Sequence, residues 1–130
     1  PEVQAENLRR LNGAPDTWLG QISPRGVGRL VEAIETGQHA SATSTDEMRR
    51  VFRWQQSGSR RLPHYIDVPV GHKTGDFPPA VANDVGVIYT RSGPVVVTFL
   101  LNEIREPYAE AEDRMGQVAR LIVEYFDGRP

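Results

Sequence analysis

The sequence contains no cysteine, and that absence removes disulfides, thiolate nucleophiles and cysteine-ligated zinc together while leaving the redox compartment open. Lysine is almost missing: of 15 basic residues Lys73 is the single lysine and the remaining fourteen are arginine. A dominant charge is missing as well, since 17 acids against 15 bases give a net charge of −2, so nothing in the composition points to nucleic acid or an anionic membrane surface as a partner. Long hydrophobic runs are also lacking. The longest apolar stretch, Val95 to Leu101, is far too short to cross a bilayer, and no signal-peptide pattern precedes Pro1, which together predict a soluble chain with no membrane partner. The first residue is proline rather than methionine, which leaves room for an upstream segment. No internal repeat or low-complexity tract is visible.

What is present suffices for one small α/β domain, since 130 residues can bury a single core but hardly two. Pro1 to Leu11 reads as a short helix stopped at Gly13, and Gly13 to Ile22 as an irregular loop. Ser23-Pro24 is a cap followed by a first-turn proline. Val27, Leu30, Val31 and Ile34 then recur at helical spacing up to Gly37, where a left-handed residue ends the helix. Ser44-Thr45-Asp46-Glu47 has the form of a capping box, with Met48, Val51 and Phe52 as the buried stripe of a helix ending near Ser57-Gly58.

Strand periodicity follows. Ile66, Val68, Val70 and His72 alternate with Asp67, Pro69, Gly71 and Lys73, and Pro69 confines this strand to a sheet edge. Val85, Val87 and Tyr89 mark a second strand, Arg91-Ser92-Gly93 a tight hairpin turn, and the stretch to Leu101, apolar on both faces, a third strand expected to be central. Met115, Val118, Ala119, Ile122, Val123 and Phe126 trace a broad helical stripe closing at Gly128 and lying across the sheet. The expected fold class is α/β in the α+β sense: a three-stranded antiparallel sheet with an edge strand carrying Lys-Thr-Gly, packed by helices.

The chemistry concentrates at His72-Lys73-Thr74-Gly75, expected where the edge strand ends. There a cation and a hydroxyl can project from alternate positions toward a carboxylate, while glycine lets a ligand approach the backbone. The free edge can accept an extended acyl-amide substrate as an added strand and aim one amide at a developing oxyanion, which points to acyl transfer. Taken alone, the tripeptide better suits a solvated turn whose lysine keeps an edge from aggregating.

The surroundings are more specific: Thr17-Trp18-Leu19-Gly20 leading to Ile22-Ser23-Pro24-Arg25, then Val68-Pro69-Val70-Gly71-His72-Lys73-Thr74-Gly75, then Asn83-Asp84-Val85-Gly86-Val87-Ile88-Tyr89. In these the chain resembles the serine β-lactamases and penicillin-binding proteins, in particular the class A-related hydrolases. The resemblance covers nearly the whole chain and implies that residues 1–130 form the C-terminal portion of a β-lactamase-like domain whose N-terminal half, with the nucleophile, lies elsewhere. It gives Lys73 the role of fixing the substrate carboxylate and tuning a proton relay, and Thr74 the carboxylate hydrogen bond. Gly75 would permit close approach, Asp76 would lend its backbone amide to the oxyanion hole, and His72 would border the substrate. The implied substrate is a β-lactam or a small acyl-amide or ester, attacked by serine without metal or cofactor. The implied partners are a complementary N-terminal half or a second copy, and the implied location is outside the cytoplasm.

Two departures qualify the match. Serine followed three residues later by lysine cannot occur, because the only lysine has Val70 three residues before it, and the serine-aspartate-asparagine motif is missing as well. The chain therefore cannot acylate by itself, and a non-catalytic module that docks a peptide or acyl-amide on its edge is the rival reading. The family's glutamate with an asparagine four residues on is also absent, for Asn12 has Leu8 in that place and Glu6 lies too far back. A completed enzyme is thus expected to turn over esters or small amides, or to acylate and release slowly.

The other candidates read as structural. Glu103, Glu106, Glu110, Glu112 and Asp113 open a helix, where carboxylates favour the positive end of the dipole. Arg49-Arg50 and Arg60-Arg61 suit surface ion pairs, Trp18 and Trp54 packing anchors, and Asn83-Asp84 a turn.

Overall fold

A computed structural model describes residues 22–128; the expected Pro1–Leu11 helix and most of the Gly13–Ile22 loop lie outside them. The described elements are α1 (Pro24–Thr36), α2 (Ala42–Arg53), β1 (Val70–Phe77), β2 (Val81–Thr90), β3 (Gly93–Leu101) and α3 (Tyr108–Asp127). The strands form one antiparallel sheet in the order β1-β2-β3, as expected for the fold class.

Helix α1 begins as its sequence dictates. Ser23 accepts the Gly26 amide at 3.0 Å, Pro24 follows in the first turn, and Gly37 closes the helix at φ 70°, ψ 24°, a conformation that costs a residue without Cβ little. Helix α2 starts three residues earlier than the capping-box reading: Ser41, not Ser44, is the cap, and it accepts the Ser44 amide. Glu47 turns to Arg50 instead of reaching back, and the helix ends at Arg53 instead of near Ser57-Gly58.

The first strand also differs from expectation. It begins at Val70, after Pro69, and runs to Phe77, so Lys73-Thr74-Gly75 sits in its middle rather than at its end. Ile66 and Val68 are loop residues packed on the core. Among the described residues β2 is the middle strand, and β3, expected to be central in a sheet completed by an N-terminal half, has a free edge. Both faces of β3 are nonetheless covered, which explains its two-sided apolar pattern.

The sheet is the middle of three layers. On one face Gly71, Val87 and Tyr89 meet Val31, Ile34, Glu35, Arg49 and Phe52 of α1 and α2. On the other, Ile88 and Val97 form the core with Leu62 and with Ala119 of α3, flanked by Val70, Val95, Phe99, Ile122 and Val123. Burial of these apolar side chains, about 1.5–3 kcal/mol for each fully buried Leu62, Ile88 or Val97 and less for the partly buried ones, is the main force holding the layers together. Trp54, expected as a packing anchor, is 67% exposed, its ring approached by the Arg50 guanidinium.

Candidate active site on strand β1

Backbone pairing decides what β1 offers. The Tyr89 amide donates to the Pro69 carbonyl at 3.0 Å, so Pro69 and Tyr89 form a hydrogen-bonded pair. With Gly71 opposite Val87, Lys73 opposite Val85 and Gly75 opposite Asn83, the bonded pairs fall on odd residues of β1. His72, Thr74 and Asp76 therefore turn their N–H and C=O groups away from β2, onto an edge that no strand covers among the described residues. One of these carbonyls is engaged locally, for the Lys73 ammonium donates to the Thr74 carbonyl.

Side chains alternate in the opposite sense. Lys73 is exposed, on the face shared with α1 and α2, while His72 and Thr74 are buried on the face toward α3. His72 Nδ1 lies 2.8 and 3.0 Å from the two carboxyl oxygens of Asp84, which also accepts the Leu62 amide at 3.3 Å. The pair thus ties β1, β2 and the preceding loop together. Asp84 is fully buried; burial pushes its carboxyl pKa up, and the His72 and Leu62 hydrogen bonds offset this only in part. Asn83-Asp84 accordingly stands inside β2 rather than in a turn: Asn83 Oδ1 accepts the Leu101 amide at 3.1 Å.

The Thr74 hydroxyl is 2.7 Å from Ser57 Oγ, which also accepts from the Gln55 amide group at 2.7 Å. Gly75 has room: a Cβ there would meet Asn83 no closer than 3.7 Å. The Asp76 side chain is held by the Arg61 guanidinium and by the Tyr108 hydroxyl, which donates to Oδ1 at 2.9 Å.

Arg61 is the residue that sequence reasoning misplaced. Expected in a surface ion pair, it is 2% exposed. It donates to Glu112 of α3 at 3.0 Å, to the Asn83 carbonyl of β2 at 2.8 Å and to Tyr108 at 3.2 Å, besides Asp76 of β1. Its partners lie between 15 and 51 residues away in sequence, so no local pattern signals it. Tyr108, packed among these groups, has its phenol pushed up to about 12, first by burial and then by its hydrogen bond to Asp76. The acidic run divides: Glu103 and Glu106 precede α3, Glu110 lies in its first turn, and Glu112 serves the Arg61 cluster.

Two grooves lie away from this edge. One of about 380 Å³ runs along α3 beside Arg60, Asp113 and Arg114. Another, of about 590 Å³, lies between α1 and β3 and is lined by Gly28, Arg29, Val96, Thr98 and Phe126.

Comparison with known proteins gives this arrangement a context. Residues 2–126 match the model of the beta-lactamase enzyme family; no curated protein matches the chain. Among solved structures, a beta-lactamase from Chitinophaga pinensis superposes with a TM-score of 0.78 at 24% identity, over 90% of this chain and 47% of its own. A class A beta-lactamase from Bacteroides cellulosilyticus gives 0.79 at 21% identity, over 95% and 47%. A beta-lactamase from Sphaerobacter thermophilus gives 0.74 at 25% identity, over 99% and 53%. The chain thus spans about half the length of the structures it matches. With a family match that runs almost end to end and a fold shared with these enzymes, the chain belongs to the beta-lactamase enzyme family.

Proposed function

We propose that this chain is the C-terminal portion of a serine β-lactamase-like acyl hydrolase, supplying the substrate-carboxylate and oxyanion side of a site whose serine comes from a complementary N-terminal half. The observation that carries the reading is the free edge of β1, where the outward peptides of Thr74 and Asp76 lie beside the exposed Lys73. An extended acyl-amide or ester laid along that edge would meet donor and acceptor groups at the spacing of a paired strand. In this reading the Asp76 amide faces the oxyanion that develops as serine attacks, and the Lys73 ammonium meets the substrate carboxylate and biases the proton relay. Thr74 completes the carboxylate site if its hydroxyl turns from Ser57, and Gly75 leaves the approach open. His72, closed in on Asp84, shapes the strand rather than touching substrate.

The concave wall and the nucleophile belong to the missing half, which agrees with the chain's half-length coverage of the beta-lactamase structures and with the absence of a serine three residues before lysine. β-Lactams are the first substrates to test, as penicillin binding and antibiotic resistance would follow from them; esters and small amides come next. The assembled enzyme acts outside the cytoplasm, and no helix among the described residues is long and apolar enough to cross a membrane.

The test joins the chain to an N-terminal half bearing the serine-lysine motif and measures nitrocefin and p-nitrophenyl ester turnover. Lys73→Ala should lower the rate by about 100-fold or more, the scale of losing one electrostatic contact to the transition state; equal rates would defeat the assignment. A second reading, a non-catalytic module that docks acyl-amide ligands on the same edge, is favoured by the missing nucleophile. Reversible binding of penicillin with no covalent adduct by mass spectrometry would establish it in place of the hydrolase.

A further inference from the structure

We propose that Arg61, acting with Tyr108, is a positioning residue that holds the outward-facing peptide of Asp76 by gripping its side chain; the catalytic consequence rests on the reading of that peptide as the oxyanion donor. The need for a grip follows from the local chain. Asp76 faces Ala82 in a pair that exchanges no ladder hydrogen bonds, so β2 holds its outward N–H and C=O only through the neighbouring Gly75 and Phe77, which pair with Asn83 and Val81. Before it stands Gly75, the least restrained residue type. Two residues beyond it comes Pro78, followed by Pro79, which cannot donate, and the strand ends at Phe77. The backbone thus restrains this end of β1 from one side only.

The side chain supplies what the backbone lacks. Asp76 Oδ1 is held by the Arg61 guanidinium and by the Tyr108 hydroxyl. The same hydroxyl lies 3.0 Å from the Val81 carbonyl, so its one proton is shared between that acceptor and Asp76. Arg61 is fixed from two further directions, by Glu112 on α3 and by the Asn83 carbonyl on β2. A planar guanidinium engaged on all three nitrogens has no freedom left to drift, so the Asp76 Cα is referenced to β2 and α3 at once. The same contact has an electrostatic effect. A carboxylate at residue 76 stands beside the place where negative charge would build up, and the buried cation neutralises it.

Asp76→Ala and Tyr108→Phe release the grip without emptying the Arg61 site, and Asp76→Asn keeps an acceptor of the same length. Two measurements are made. In the 130-residue chain, the 15N order parameter of the residue 76 amide should fall from about 0.85 toward 0.6, the span between rigid and flexible backbone, in Asp76→Ala, and stay near wild type in Asp76→Asn. In the complemented enzyme, kcat should fall on the order of 10–100-fold in Asp76→Ala and less in Tyr108→Phe, as expected of a displaced catalytic group. KM should hold, and Asp76→Asn should restore the rate to within about threefold of wild type. An unchanged order parameter in Asp76→Ala overturns the positioning role. So does an unchanged kcat in a background where Lys73→Ala is inactive. If Lys73→Ala is fully active, the hydrolase reading fails, and the order parameter alone decides whether Arg61 and Tyr108 hold the strand end.

Discussion

Replacing Asp84 by alanine tests how strand β1 is anchored. The carboxyl is fully buried, lies 2.8 Å from His72 Nδ1 and accepts the Leu62 amide at 3.3 Å. Alanine leaves both groups facing an apolar interior with no partner in reach. Each such loss costs about 1–2 kcal/mol, the lower part of the usual range because removing the carboxylate also removes its own burial cost, and the emptied volume adds roughly another 1 kcal/mol, so the expected destabilisation is about 3–5 kcal/mol, a large share of the 5–15 kcal/mol that holds a typical domain together. In urea, with a denaturant slope of about 1.5 kcal/mol/M, the unfolding midpoint should drop by about 2–3 M at unchanged slope. His72→Ala should cost a comparable amount, and the double variant less than the sum, with a coupling of about 1.5–3 kcal/mol because the second change removes a group already orphaned. A midpoint within about 0.3 M of wild type for Asp84→Ala, or additive single effects, would refute the claim that this pair anchors β1 to β2.

Three further outcomes follow from the same coordinates. Gly86→Ala would place a Cβ 2.2 Å from the Gly71 carbonyl and 2.7 Å from His72 Cβ, and should destabilise the chain by about 2–4 kcal/mol; a wild-type thermal midpoint would contradict the close approach. Because burial and the Asp76 hydrogen bond raise the Tyr108 phenol to about 12, its contribution to stability is intact below about pH 10 and lost as pH rises through 12. Tyrosinate absorbance should accordingly show a component near pH 12 that Tyr108→Phe deletes, and its persistence in that variant would contradict the assignment. With the N–H and C=O groups of Val96, Thr98 and Leu100 turned outward from β3 beside the α1 groove, the isolated chain should self-associate; sedimentation as a stable lone monomer would contradict this.

How much of this was legible in the sequence depends on whether the deciding interactions are local. Helix α1 was, because its cap and terminal glycine are local and Ser23 and Gly37 act as their positions suggest; in α3 the stripe alone was, with Met115 and Ala119 buried as its periodicity requires, although Val118 is exposed and no side chain caps the helix start. The start of β1 was not. Ile66 and Val68 alternate with polar residues as a strand would, yet they pack as a loop against the core, and the ladder begins only beyond Pro69. The apolar pattern of β3 was legible for its faces, because helices cover both, as α1 and α3 do here; such a pattern says nothing about whether a neighbouring strand covers the edge. The site was half legible: Lys73, Thr74 and Gly75 announce themselves as a tripeptide, whereas Arg61 is given its role by Glu112, Asn83 and Asp76, which only the tertiary fold brings together.

The division of labour along β1 follows from strand parity. At His72, Thr74 and Asp76 the peptide faces the free edge and the side chain faces α3, so these residues present backbone outward while their side chains anchor the strand to Asp84, Ser57 and Arg61. At Lys73 and Gly75 the peptide bonds β2, and the side chain, or its absence, faces the opposite layer. A slip of one residue would exchange the two sets: the lysine would be driven against the buried carboxylate of Asp84, and the anchoring side chains would be turned out of the core. The register is held against such a slip by contacts specific to one alignment: the His72–Asp84 pair and the close approach of Gly86 to the backbone of Gly71 and His72. The buried polar groups on the α3 side of this sheet thus determine which face of the tripeptide meets a substrate, although in this reading none of His72, Asp84 and Arg61 touches one.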